Sequence, residues 1–360
     1  MKGRSEAHFL NELATKPIAW RALSKLRFAA TARRSACRLA GAEETFEGED
    51  AMSESQPFSG VLVPVLTPYD DDLAPDTARF VAHSQALLEE GADGLAIFGT
   101  TSEGNALSLG EKLALLEELV GSGVAAARLM PGTGCCALSD TVELTSRAVR
   151  LGCGGVLLLP PFYYKAVDDD GLFAYTAEVI ERVGDPRLKV YLYHIPPVAQ
   201  VGWSLPLIER LAAAYPETVV GIKDSSGDWS NTQAVLEALP GFGTFVGSEA
   251  LLLDNMKGGG VGCITATANV AVATIRAVYE AWRSEKGQSQ EGQRLNDEMV
   301  ALRRTIQSYP MIPALKEIMA QRNGDPAWRR IRPPLAALSP EQAAGLTRDL
   351  ARLAFPLAAE

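Results

Sequence analysis

The sequence predicts an α/β fold, a (β/α)8 TIM barrel followed by a C-terminal helical extension. Three observations carry this. Short apolar runs rich in β-branched residues recur eight times after Gly60, patterns of helical periodicity lie between them, and glycine stands at several helix-to-strand junctions. Runs this continuously apolar suit parallel strands buried on both faces. Eight alternations of strand and helix, at about 25 to 35 residues per unit, match the period of a closed barrel.

The expected strands are "GVLVPVLTP" from 60, "GLAIFG" from 94, "RLMPGTG" from 128 and "GVLLLPP" from 155. They continue with "KVYLYHIP" from 189, "VVGIKD" from 219, "TFVGSE" from 244 and "VGCITATAN" from 261. Among the intervening helices, "SLGEKLALLEELVGSG" opens on Ser108 with Glu111 three residues later, the pattern of a capping box. "ALSDTVELTSRAVRLG" and "DDGLFAYTAEVIERVG" repeat their apolar positions at helical spacing. Glycines in "EEGADGLAIFG", "RLGCGGVLLLP" and "KGGGVGCITA" are placed to end helices in the left-handed conformation. The barrel is expected over 56–284. Residues 285–360 read as helical, through "EGQRLNDEMVALRRTIQ", "PALKEIMAQR" and "SPEQAAGLTRDLARLA".

Residues 1–55 read differently. The first part is basic, and an acidic "GAEETFEGED" follows. Arginines interrupt every apolar stretch, so no secretory core forms. Two readings stand, an organelle transit peptide and a start site placed upstream of Met52, of which the second is favoured. Disorder is expected on either.

The composition, 47% hydrophobic and 22% charged over 360 residues, is that of a soluble globular chain with ample core material. A net charge of -10 argues against nucleic-acid binding, which needs a basic face. It leaves room for a small anion at a locally positive site. No apolar run reaches the roughly 20 residues that span a bilayer, so no membrane role is expected. Five cysteines, two of them adjacent, suggest neither a disulfide framework nor a metal site. The expected setting is reducing and cytoplasmic.

Active sites of this architecture lie where the strands end, on the βα loops. Strand two leads into "GTTSEGN", whose Thr100, Thr101 and backbone N–H groups suit a carboxylate, although the same residues also make simple helix caps. Strand four leads into "PPFYYK", with Tyr163 and Tyr164, which by themselves read as packing. In "YLYHIPP", Tyr191 and Tyr193 share one strand face and His194 takes the other, so an inward Tyr193 turns His194 out of the barrel. Strand six ends on Lys223 after "VVGI". A lysine is ordinarily a solvated strand end, because its ammonium is costly to bury. At the catalytic face and in dry surroundings, an amine loses its proton more readily and can attack a carbonyl. A carboxylate-binding loop, a phenol and a lysine converging on one face point to a 2-oxo acid held for covalent catalysis.

Five motifs in this order, "FGTTSE", "PPFYY", "YHIPP", "GIKDSSGD" and "GGGVGCITATAN", resemble the dihydrodipicolinate synthase/N-acetylneuraminate lyase family of Schiff-base-forming pyruvate lyases and aldolases. The resemblance runs from about Phe58 to Pro334 and includes "IPALKEIM". It implies that Lys223 forms the Schiff base and that Tyr193 moves protons at the reacting carbons. Thr100 and Thr101 would bind the pyruvyl carboxylate, with Thr101 also in the tyrosine relay. Tyr164 would complete that relay from a neighbouring subunit of a homotetramer built as a dimer of dimers, with Tyr163 close enough to compete for the role. Gly247 and Ile264 would line the pocket, and Ser248 and Glu249 stand where sugar-acid members contact substrate hydroxyls. The iminium is its own electron sink, so neither metal nor organic cofactor is implied.

Two positions depart from the family pattern. Ser102 stands where glycine is common, and Val198 stands where the synthases carry an arginine for their second substrate's carboxylate. Loss of a bidentate cation is not a conservative change. The expected activity is therefore aldol cleavage or dehydration of a 2-oxo acid, a 2-keto-3-deoxy sugar acid foremost. The alternatives are 4-hydroxy-tetrahydrodipicolinate synthase, N-acetylneuraminate lyase, and a binding-only sensor of a 2-oxo acid.

Overall fold

The computed structural model describes residues 57–284 and 289–357. The expectations for residues 1–55 therefore lie outside the described residues. Seven parallel strands form one sheet in the order β2-β1-β7-β6-β5-β4-β3. They are β1 (Gly60–Val63), β2 (Gly94–Leu95), β3 (Val156–Leu158), β4 (Val190–His194), β5 (Val219–Asp224), β6 (Gly243–Val246) and β7 (Gly262–Ile264).

The strand expected from Arg128 is not a regular strand. It survives as two isolated parallel bridges, Leu95 with Leu129 and Gly132 with Leu157. Met130 N–H donates to Leu95 O at 2.8 Å, and Leu157 N–H donates to Pro131 O at 2.9 Å, so the segment joins the two edges of the sheet. The cause of its irregularity is local: Pro131 has no N–H to give to a ladder.

Helices lie between the strands: α1 (Thr77–Glu89), then α2 (Leu109–Gly121), α3 (Leu138–Arg150) and α4 (Asp169–Val183), the last three on the runs whose apolar periodicity predicts them. After β4 come α5 (Pro196–Ala199) and α6 (Leu205–Ala214), then α7 (Trp229–Ala238), α8 (Leu252–Lys257) and α9 (Ala268–Arg283). Both halves of the capping box of Ser108 and Glu111 form. Gly91, Gly152 and Gly259 follow their helices with φ of 106°, 84° and 92°, the conformation that stops a helix and suits glycine. Further on lie α10 (Gln290–Gln307), α11 (Met311–Arg322) and α12 (Pro340–Arg352). None of the helices among the described residues is long and apolar enough to cross a membrane.

The core is layered. Leu62, Met130, Leu157, Tyr191, Phe245 and Ile264 cluster with one another on the inner face of the sheet. A larger cluster, including Val61, Val63, Leu95, Leu192 and Ile222, packs the strands against the surrounding helices. A third joins Leu66 and Val270 to Ile306, Leu315, Ile318 and Leu346 of α10 to α12.

Arg332 ties the far end of the chain to the start of α2. Its guanidinium holds both carboxylate oxygens of Glu111, at 2.5 and 3.0 Å. That fork, with help from Ser108, pulls the Glu111 carboxyl from its ordinary 4.5 down to about 2. A carboxyl depressed in the folded state stabilises fully above its unfolded pKa, and the contribution is lost as pH falls through the folded value. The stability difference between the wild type and Glu111→Gln should accordingly be constant above about pH 4.5 and shrink toward pH 2 in urea titrations. A difference that grew on acidification would contradict this.

Candidate active site

The register of the sheet builds the site. Tyr193 of β4 lies opposite Lys223 of β5, which lies opposite Phe245 of β6. Side chains at one level of adjacent strands share a face, so all three point inward. Their successors, His194, Asp224 and Val246, point outward by the same alternation. His194 accepts the backbone N–H of Trp203 on Nδ1 at 3.0 Å, and burial holds its pKa down. It is thus a satisfied structural histidine, as the parity of "YLYHIPP" implies.

Lys223 is only 5% exposed. Its Nζ sits 4.3 Å from the centroid of the Tyr193 ring, a cation–π distance. The adjacent carboxylate of Asp224 is engaged elsewhere, by Ser226 N–H at 2.8 Å, Asn231 Nδ2 at 2.8 Å and Thr232 Oγ1 at 2.7 Å. Those bonds fasten the strand end to the start of α7, which fixes where Lys223 points. Below it the interior is lined by buried apolar and aromatic side chains. The Tyr191 ring packs edge-on to Phe245 with centroids 5.9 Å apart, and its hydroxyl accepts Phe58 N–H at 3.2 Å. Gly221 and Gly243 leave room for that ring; a Cβ at Gly221 would lie 2.5 Å from Tyr191 Cδ1.

Tyr193 is buried and held from behind, because Trp203 Nε1 donates to its carbonyl at 3.1 Å. Its hydroxyl lies 3.1 Å from Thr100 Oγ1. The structure thus gives Thr100 the tyrosine contact that the sequence reading assigned to Thr101. The chain turns sharply between them: Phe98 has φ 63° and Glu103 φ 54°. Thr101 is buried in the same loop at the strand ends.

The remaining candidates divide. Ile264 is fully buried at the end of β7. Gly247 follows β6, its N–H donates to Asp224 O at 2.7 Å, and a Cβ there would meet Ser225 Oγ at 2.0 Å. Only glycine lets this loop approach so closely. Ser248 is partly exposed beside it. Glu249 differs from the sequence expectation of a substrate contact: it is fully buried, receives the Thr265 hydroxyl and pairs with Arg303 of α10 at 3.1 Å. A carboxylate withdrawn from solvent needs such partners, and the arginine that supplies them is remote in sequence. Tyr164 is not brought to Lys223 within the chain. It is 73% exposed, edge-on to Tyr163 at 5.3 Å. Val198, on α5, is 61% exposed and offers no charge.

Sequence reasoning assigned no role to Trp203, Arg303, Glu103 or Lys316. The last two sit inside the quoted motifs "FGTTSE" and "IPALKEIM". A charged residue in an otherwise apolar or tightly turned motif is the one local sign that it has a buried partner.

A match to the dihydrodipicolinate synthetase family covers residues 57–353. The chain belongs to that family. An uncharacterized DapA-like lyase of Chloroflexus aurantiacus is 32% identical over 296 residues, 82% of this chain and 96% of that protein. A 4-hydroxy-tetrahydrodipicolinate synthase of Rhizobium meliloti is 30% identical, over 81% of this chain and 97% of that protein. Among solved structures, the dihydrodipicolinate synthase of Agrobacterium tumefaciens superposes with a TM-score of 0.75 at 31% identity, over 82% of this chain and 99% of its own. For this family member, the Lys223–Tyr193–Thr100 array at the strand ends is the candidate centre of chemistry.

Proposed function

We propose that this family member is a Schiff-base lyase acting on a 2-oxo acid, with a 2-keto-3-deoxy sugar acid as the favoured class. The observation that carries the reading is the buried amine of Lys223 against the Tyr193 ring, with the Tyr193 hydroxyl bonded to Thr100. Thr100, Thr101 and the N–H groups of their loop receive the C1 carboxylate. The amine of Lys223 adds to C2, and the carbonyl oxygen leaves as water, giving an iminium. The Tyr193 oxygen takes the proton of the C4 hydroxyl, having relayed its own through Thr100. The C3–C4 electron pair then flows into the iminium, releasing an aldehyde and leaving the enamine of pyruvate. Protonation at C3 and hydrolysis return pyruvate and the free lysine. Dehydration starts from the same iminium: C3 loses a proton and the C4 hydroxyl departs as water. In both routes the iminium supplies the electron sink.

Tyr164 is proposed to act on a second copy of the chain, in a homotetramer. Its exposure in the single chain supports that reading. Ser248 is the remaining candidate for a substrate hydroxyl, with Glu249 supporting the wall behind it. The absence of a cation at Val198 favours a hydroxylated substrate over a second carboxylate. The second reading, 4-hydroxy-tetrahydrodipicolinate synthase, is favoured by the name of the Rhizobium relative.

The deciding experiment is borohydride reduction with pyruvate, followed by a screen of 2-keto-3-deoxy acids. Trapping at Lys223 together with pyruvate release supports an aldolase. Trapping with a semialdehyde product instead supports a dehydratase. Condensation of pyruvate with aspartate semialdehyde supports the synthase, and absence of any pyruvate adduct would sink the shared chemistry.

Tyr193→Phe separates the two roles of the ring. It keeps the face against Lys223 and deletes the hydroxyl bonded to Thr100. Trapping of pyruvate should persist, while turnover of the cleaved substrate falls on the order of 10²- to 10³-fold. An unchanged kcat would remove Tyr193 from proton transfer.

A further inference from the structure

The loop that carries Thr100 and Thr101 has a conformation that its own sequence does not favour. Phe98 and Glu103 both lie in the left-handed region, where residues with a side chain are disfavoured. The coil between them is tight. Glu103 N–H donates to Thr100 O and Gly104 N–H to Gly99 O, each at 3.0 Å, and Thr67 Oγ1 donates to Ser102 O at 2.7 Å. Something outside the loop must hold it.

The Glu103 side chain meets that need. Its carboxylate pairs with the ammonium of Lys316 on α11, and the two side chains are 0% and 1% exposed. The backbone N–H of Arg332 donates to the other oxygen at 3.2 Å. Lys316 is itself fixed, giving a hydrogen bond to Arg330 O at 2.8 Å and lying 4.4 Å from the centroid of the Tyr69 ring. A buried ion pair adds little net stability over an apolar pair of the same shape, so stability alone does not explain one here. Its position does: the pair clamps a strained turn two residues beyond Thr101.

We propose that Glu103 and Lys316 are positioning residues for the threonine loop, setting its affinity for the substrate's C1 carboxylate without touching substrate. The proposal rests on the 2-oxo acid reading above. It is tested by the concentration dependence of borohydride trapping at Lys223, read by peptide mass, with pyruvate and with acetaldehyde, which lacks the carboxylate. Lys316→Met, which removes the ammonium and leaves Glu103 only the Arg332 N–H, should raise the half-saturating pyruvate concentration about tenfold, the scale of one lost charge-assisted interaction. Acetaldehyde trapping should stay as in the wild type. Glu103→Gln keeps the shape and an acceptor for Arg332 N–H; it should show a smaller shift in the same direction, and it carries the test if Lys316→Met does not fold.

Equal losses for both carbonyl compounds in a folded variant would make the pair merely structural and overturn the proposal, as would unchanged pyruvate dependence. Failure of the wild type to trap pyruvate would instead overturn the functional reading, and the positioning role would fall with it.

Discussion

Lys223→Arg is expected to abolish the pyruvate adduct at position 223 and to lower turnover at least about a thousandfold while leaving the fold intact. The expectation follows from chemistry as much as from placement. A guanidinium stays protonated in proteins and has no free electron pair to add to a carbonyl. The substitution keeps a long basic side chain, so circular dichroism and the unfolding midpoint should move little. Mass spectrometry of the reduced complex checks the first part and steady-state rates the second. An adduct that persisted in the variant would move the nucleophile to another lysine. A variant that kept near-normal turnover and formed no adduct at any lysine would exclude a covalent route. The surroundings of Lys223 explain why the effect should be large. Asp224 is held by Ser226, Asn231 and Thr232, and the nearest ring is that of Tyr193. The residue has little evident structural work there beyond the chemistry proposed.

Arg303→Met should give the largest effect on stability, about 3 to 5 kcal/mol in urea unfolding, the usual loss when one partner of a buried pair is removed. Glu249 has no exposed surface, and the Arg303 side chain has 14% of its own exposed. Arg303 Nη1 serves Glu249 at 3.1 Å, Thr265 at 3.0 Å and Thr267 at 3.4 Å, so one substitution strips several polar groups at once. The double variant Arg303→Met/Glu249→Met should recover much of the loss, because an apolar pair leaves no charge buried alone. A single-variant loss below about 1 kcal/mol, typical of exposed pairs, would mean that solvent reaches the carboxylate.

Much of the architecture is readable from local pattern. The runs at 60, 94, 155, 189, 219, 244 and 261 all contain strands, because continuous apolar character is a property of each segment by itself. The run at 128 shows the limit of that reading. Its apolar content is right, but Pro131 removes a donor, and only the bridges to Leu95 and Leu157 reveal its place. The candidate site was partly legible for a similar reason. Strand parity set Tyr193 and His194 on opposite faces, and the position of Lys223 at a strand end made it a candidate, but which of the two faces turns inward came from the register of the sheet. Parity says nothing about which hydroxyl of a two-threonine turn reaches a tyrosine on another strand, and there the reading chose Thr101 where Thr100 makes the bond.

By itself, then, the sequence determined the α/β class and the order of the elements, and it singled out the strand-end face and Lys223 as the proposed place of chemistry. Each follows from side-chain periodicity or from a residue's own chemistry, both local quantities. Only the tertiary structure decided that Glu249 is committed to Arg303, that Glu103 is clamped by Lys316, and that Tyr164 is left exposed on its own chain. Those outcomes depend on which charges meet across the fold when water is excluded. No pattern within a single segment encodes the partner that a buried charge must find.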